Sequence, residues 1–138
     1  MPDNNASTSQ FIRLLPHAQA LGMELERVDG GTAVISMPYA DKLVGDPQTG
    51  VVHGGAVSAL MDTCCGAAVM SHPRNLSHTA TIDLRIEYLR PATPGQTITT
   101  TATCYHVTRS VAFVRATAVD EDAENPVAMA TGTFTVGG

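Results

Sequence analysis

His53-Gly54-Gly55-Ala56-Val57-Ser58-Ala59-Leu60-Met61-Asp62-Thr63-Cys64-Cys65-Gly66-Ala67-Ala68-Val69-Met70 is the stretch that decides the reading of this chain. It holds helix formers, no proline, and apolar or small residues on nearly every face, the pattern of a helix enclosed by its own domain. One carboxylate interrupts it. An acid is rarely buried without a partner, and nothing within the helix supplies a cation to Asp62. Asp62 therefore either caps a neighbour or pairs with a distant arginine, or it works as a general base or nucleophile.

The start of the run adds a second feature. Gly54 and Gly55 let a ligand approach the backbone where the first N–H groups of a helix have no internal partner and favour developing negative charge. A Gly-Gly after a loop is by itself only a turn into a helix. Its pairing with Asp62 makes it an oxyanion-hole candidate. The two are eight residues apart, about 12 Å of helical rise, too far to serve one carbonyl within one chain. If both act, Asp62 of one subunit faces Gly54 of another, and a two-fold dimer carries two identical sites.

Downstream, apolar and polar residues alternate with a period of two. Ile82, Leu84, Ile86 and Tyr88 fall on one side, and Thr81, Asp83, Arg85 and Glu87 on the other, after a loop from His72 to Ser77. Further strands are expected over Thr97 to Val107, Val111 to Val119 and Val127 to Val136. Upstream, Leu21 to Val28 and Thr32 to Tyr39 flank Asp29-Gly30-Gly31, a hairpin signal. Ala40 to Gly50 has a loop composition. Residues 1–20 form an N-terminal segment whose Ser7 to Leu15 reads as a short amphipathic helix halted by Pro16, a lid or packing helix. One apolar helix and about six strands in consecutive hairpin order predict an α+β domain, an antiparallel sheet wrapped around the helix, over residues 1–138. Such a sheet leaves edges open, and pairing them between chains makes a dimer at least.

The chain has 138 residues and 43% hydrophobic composition, enough for one core. Its formal charge is -5 and its only lysine is Lys42, so it lacks the basic footprint of a nucleic-acid binder. No secretory signal or membrane-length apolar run is seen, which points to the cytoplasm. Cys64, Cys65 and Cys104 form neither an even disulfide set nor a metal pattern and read as small buried hydrophobes. His17, His72, His78 and His106 have no ligand spacing, so neither a metal nor a cofactor is expected. Ser58 with His53 and Asp62 has the residue types of a triad but lacks the G-x-S-x-G elbow.

Gly45-Asp46-Pro47-Gln48-Thr49-Gly50-Val51-Val52-His53-Gly54-Gly55, continued to Asp62-Thr63, resembles the hotdog-fold acyl-CoA thioesterases of the phenylacetate-degradation (PaaI-like) type. Thr81-Ile82-Asp83-Leu84 to Tyr88-Leu89-Arg90-Pro91-Ala92, and Ala128-Met129-Ala130-Thr131-Gly132-Thr133-Phe134, are similar to later strands of that family. The resemblance implies that Asp62 activates water or attacks the thioester, and that Gly54 donates its N–H to the thioester oxygen. It also implies that His53 helps hold the carbonyl and that Thr81 orients the water. Relatives often carry Asn in the loop before the histidine. Here Asp46 or Pro47 stands there without an amide donor, so either Gln48 substitutes or polarisation rests on Gly54 and His53. Gly55, Gln48 and Asp46 are thus expected along the substrate, and Arg90 and Arg109 at the CoA phosphates. The family further implies an acyl-CoA substrate and a tetramer of two dimers; small Ala, Val and Ser residues near Asp62 permit a pocket whose depth depends on the neighbouring chain, which leaves aryl and short to medium acyl groups open. The alternatives are an acyl-CoA sensor without turnover, which the lack of a DNA-binding segment disfavours, and a hydratase or dehydratase, which the HGG-to-Asp62 spacing disfavours.

Overall fold

The structure is a computed structural model that describes residues 4–74 and 78–137. Part of the expected loop before the second half of the chain, residues 75–77, lies outside them. The N-terminal segment forms two helices, α1 (Asn4–Leu14) and α2 (Pro16–Ala20). Pro16 ends the first because it cannot continue the hydrogen-bond ladder, and it begins the second from the N-terminal position where its missing N–H costs nothing. Strands β1 (Glu24–Asp29) and β2 (Thr32–Met37) follow as the expected hairpin, with Gly30 and Gly31 at positive φ in the turn. Ala40 to Gly50 proves more ordered than its loop composition suggests. A 3-10 turn over Asp41–Leu43 leads into β3 (Val44–Asp46), which pairs with β4 (Val51–Val52).

The long helix α3 (Gly54–Ser71) comes next, then β5 (Thr81–Tyr88), β6 (Ile98–Val107), β7 (Val111–Val119) and β8 (Ala128–Thr135). The main sheet is antiparallel and has six strands in the order β1-β2-β6-β7-β8-β5. The strand count and antiparallel sense match the expectation, but consecutive hairpin order does not hold throughout. β5 lies at the far edge, because α3, 18 residues and so about 27 Å long, carries the chain across the sheet before β5 begins. No helix among the described residues is long and apolar enough to cross a membrane.

The inner face of the sheet is floored by a row of small residues, Ala33, Ala102, Ala116 and Ala130, paired across four strands. Their size lets α3 sit close over β2, β6 and β7. Leu60, Met61, Ile35, Met37, Ile98, Val114 and Phe134 fill the space between. Cys64 Sγ lies 3.3 Å from the carbonyls of both Ala33 and Thr100, tying the helix to two strands. All three cysteines are buried free thiols, as their composition suggested, and burial pushes the Cys64 thiol up to about 12.

Two features depart from the sequence reading. α3 is not enclosed on all sides: Ser58, Ala59, Asp62, Thr63, Gly66 and Met70 form a stripe of partial exposure opposite its buried face. Small side chains are compatible with either side of a helix, so composition alone could not reveal the open one. The inner face under β5 is also largely uncovered, since α3 lies toward the other edge, leaving Leu84 and Ile86 only partly buried.

Candidate active site

Asp62 stands on the open stripe of α3 and is half-buried rather than enclosed. Its Oδ1 accepts a 2.8 Å hydrogen bond from the Thr81 hydroxyl. No arginine or lysine among the described residues forms an ion pair with it. Strict alternation would put Thr81 on the outer face, with Asp83 and Arg85. Instead, Thr81 pairs with Phe134 while Asp83 pairs with Thr133, so β5 carries one extra residue there. Phe134 is buried on the inner face, and the bulge turns Thr81 to the same side, toward α3. Ile82, the residue beside the bulge, is 56% exposed as a result. The carboxylate and its hydroxyl partner thus meet because of a local irregularity in the strand.

His53 caps the start of α3. Its Nδ1 accepts from Gly55 N–H at 2.7 Å, and its backbone N–H donates to the Leu43 carbonyl at 2.7 Å. A ring nitrogen that accepts from an amide carries a lone pair, so in the neutral ring the proton sits on Nε2, the remaining donor. The fit around this cap is tight. A Cβ on Gly55 would lie 2.8 Å from Nδ1, and one on Gly45 would lie 2.8 Å from the His53 Cα. Both glycines are therefore needed for close approach to His53, and Gly55 N–H is already used. Gly54 N–H meets no acceptor among the described residues and stays open at the helix N-terminus. Gly54 O accepts from the Tyr88 hydroxyl at 3.0 Å. Tyr88 entered the sequence reading as one of an apolar row and within the family-like strand, with no role of its own. Its strand-end position gave no sign of this contact.

The remaining candidates are distributed differently. Asp46 turns its carboxylate onto its own loop, accepting from Gln48 N–H at 3.0 Å and the Thr49 hydroxyl at 2.8 Å. The Thr49 hydroxyl, followed by Gln48 N–H, holds this carboxyl below its ordinary value, so it offers no donor at neutral pH. Gln48 is exposed in the same turn. Arg90 lines a cleft with Gly54, Val57 and Tyr88. Its guanidinium forms a two-pronged pair with Asp120 at 2.8 and 2.7 Å and also donates to the carbonyls of Asn125 and Pro91. Arg109 is exposed in the β6–β7 turn, away from the cleft beside Gly54. Asp120, not singled out in the sequence, is fully enclosed at its side chain.

Asp62 and Thr81 lie on two adjoining depressions. One is shallow and runs over Gly55, Ser58, Leu84 and Ile86. The other leads between α1 and α3. A carboxylate with one oxygen fixed by a hydroxyl and the other unassigned can take a proton from a water or attack an electrophilic carbon. A helix N-terminus with an open N–H beside an Nε2–H can hold a developing oxyanion. Within one chain these two devices occupy separate places along α3.

Residues 49–127 match the family model described as the thioesterase superfamily. The medium/long-chain acyl-CoA thioesterase YigI of Escherichia coli is 31% identical over 140 residues, spanning 92% of this chain and 89% of YigI. A Pseudomonas aeruginosa protein of known crystal structure superposes with a TM-score of 0.84 at 36% identity, covering 96% of this chain and 98% of that one. The E. coli PaaI protein from the phenylacetic acid degradation operon superposes with a TM-score of 0.82 at 25% identity, covering 97% and 91%. The sheet-wrapped helix is the hotdog fold shared with these structures. With its capped helix start, its single helix carboxylate and a family match running from the loop before His53 to the start of β8, the chain belongs to the thioesterase superfamily.

Proposed function

We propose that the protein hydrolyses acyl-CoA thioesters to a free acid and CoA, with Asp62 as the general base. The observation that carries this reading is the Thr81–Asp62 hydrogen bond on an open face of α3. Thr81 fixes Oδ1, leaving Oδ2 to take a proton from water as the water oxygen bonds to the thioester carbon. The resulting oxyanion is held by Gly54 N–H and His53 Nε2–H of the facing subunit. Its collapse breaks the C–S bond, and the departing CoA sulfur takes up the proton that Asp62 received. Gly55 contributes by fixing His53 rather than by touching the substrate. The names of YigI and PaaI, both acyl-CoA thioesterases, support the same substrate class.

The facing subunit is part of the proposal. The uncovered inner face beside β5, with Leu84 and Ile86 half-buried, has room for the helix of a second copy, and β5 is an edge strand able to pair with its equivalent. Tyr105 and Met129, about half-exposed on the outer face, favour a further pairing of dimers into a tetramer. Arg109, exposed and without a carboxylate partner among the described residues, is suited to a CoA phosphate. Arg90 could contact one only by sharing its guanidinium with Asp120. Gln48 and Asp46 border the site through their loop, Gln48 offering the free amide. The buried free thiols fit a reducing compartment such as the cytoplasm.

Release of free CoA, followed with a thiol reagent, tests the proposal on phenylacetyl-, hydroxybenzoyl-, octanoyl- and palmitoyl-CoA. Asp62→Asn is expected to lower kcat by about 10²–10⁴-fold while the assembly persists. Equal turnover by wild type and Asp62→Asn would remove Asp62 from the mechanism. Absence of turnover with tight acyl-CoA binding in both would make the protein a sensor.

A further inference from the structure

The hydroxyls at the two ends of β5 are both turned to α3. Thr81, its first residue, donates to Asp62, and Tyr88, its last, donates to the Gly54 carbonyl at 3.0 Å. The two are seven positions apart, an odd number, so a regular strand would send them to opposite faces. The extra residue beside Thr81 removes the mismatch and puts both on the side of α3. Between them Leu84 and Ile86 are only partly buried, because α3 lies mainly over β2, β6 and β7. Apolar packing therefore does little to hold this strand against the helix.

The fold does not force the Tyr88 bond. The residue is 52% exposed, and water would satisfy its hydroxyl. The ring nevertheless stands with its hydroxyl edge against Gly54: a Cβ there would lie 3.6 Å from Cε1, 3.8 Å from Cζ and 3.9 Å from the hydroxyl oxygen. The carbonyl it meets belongs to the same peptide group as the Gly55 N–H, and that N–H is the donor to His53 Nδ1 at 2.7 Å. A donor on a peptide oxygen draws electron density from the nitrogen and makes its N–H the stronger donor. The hydrogen bonds thus run in one direction, from Tyr88 through the Gly54–Gly55 peptide to Nδ1, and they leave the imidazole proton on Nε2.

We propose that Tyr88 is a positioning residue for the oxyanion: through the Gly54–Gly55 peptide its hydroxyl holds His53 in the Nε2–H tautomer and fixes the direction of that proton. This rests on the thioesterase reading and adds the residue that orients one of its oxyanion donors. β5 then serves both halves of the chemistry, Thr81 orienting the base and Tyr88 the donor. Because Asp62 and Gly54 of one chain act in different sites, each β5 supports two sites.

Tyr88→Phe keeps the ring and removes the hydroxyl. The test measures its kcat and KM for octanoyl-CoA, its melting temperature, and the nitrogen chemical shifts of the His53 imidazole, assigned by their absence in His53→Ser. With KM nearly unchanged, kcat is expected to fall about tenfold, short of the roughly 10²–10³-fold of losing an oxyanion donor outright. The His53 shifts are expected to move toward a mixture of the two neutral tautomers. His53→Ser keeps a capping oxygen for Gly55 N–H but has no second nitrogen, so adding Tyr88→Phe to it is expected to change kcat by less than about twofold. Unchanged imidazole shifts in Tyr88→Phe, or the same loss of kcat in the His53→Ser background, overturns the assignment and leaves hydrolysis standing. So does a lower melting temperature with kcat and the shifts unchanged, which would make the hydroxyl a staple of the fold. If wild type turns over no thioester, the shifts still decide: a move in Tyr88→Phe upholds the hold on His53 while hydrolysis fails.

Discussion

Thr81 owes its contact with Asp62 to one extra residue in β5, and that contact is where the proposed chemistry is most exposed to mutation. Thr81→Val keeps the shape and removes the hydroxyl. Because hydrogen bonds to charged groups are worth about 1.5–3 kcal/mol, kcat is expected to fall by about ten- to a hundredfold. Thr81→Ser is expected to recover most of it, and steady-state kinetics on the two variants checks the pair. As candidates, Asp62 and Gly54 stand out in the sequence because a carboxylate is anomalous on an apolar helix and a Gly-Gly pair is informative at its start, whereas the role of His53 rests on the family resemblance. The facing of Thr81 was not legible. Alternation from Ile82 to Tyr88 assigns it outward, and a bulge depends on pairing with β8, about fifty residues away, which no local pattern records. Arg90 could not be resolved either, since a guanidinium suited to phosphate is equally suited to the Asp120 carboxylate that it meets here.

Connections between elements carry a second group of predictions. Asp120, at the end of β7, holds Arg90 and also accepts the Thr93 and Asp122 N–H groups, joining the segment after β5 to the β7–β8 turn. The Arg90 guanidinium foremost, then these N–H groups, hold its carboxyl below the ordinary 3.8 against the opposing effect of burial. A carboxyl whose folded value is depressed contributes its stability above the unfolded value and loses it as pH falls toward the folded one. Melting temperature is therefore expected to drop on acidification below about pH 4, and Asp120→Asn to flatten that dependence. At neutral pH, Asp120→Ala is expected to cost about 2–3 kcal/mol in denaturant titrations, less than a fully buried pair because the Arg90 side chain remains 26% exposed. The start of α3 gives another case. Gly55→Ala would force a Cβ to 2.8 Å from His53 Nδ1, displacing the cap. Loss of about 1 kcal/mol of stability, together with a lower kcat, is the expected result.

The whole molecule is defined by what its sheet leaves uncovered. The long helix, the strand count and the antiparallel sense could be read from composition and alternation, but the short helix α2 and the position of β5 at the far edge could not. Nor could the displacement of α3 toward β2 and β6, because both follow from where an 18-residue helix delivers the chain rather than from any strand's composition. Together they leave an apolar strip beside Asp62 and set Asp62 and Gly54 eight residues apart on one helix. A site that uses both needs two chains.

Mixing two inactive variants tests that requirement directly. Gly54→Pro removes the open N–H while suiting the local backbone: His53 has φ -60 and ψ 134, values that a residue preceding proline adopts, and proline is favoured at the first helical position. Gly54→Pro and Asp62→Asn are each expected to be inactive alone. In a heterodimer one site then carries both lesions and the other carries neither, so random co-assembly of equal amounts should restore about a quarter of wild-type CoA release. Recovery to that level is the result expected of a site built from Asp62 of one chain and Gly54 of its partner. No recovery, with mixed assemblies demonstrated, would contradict it.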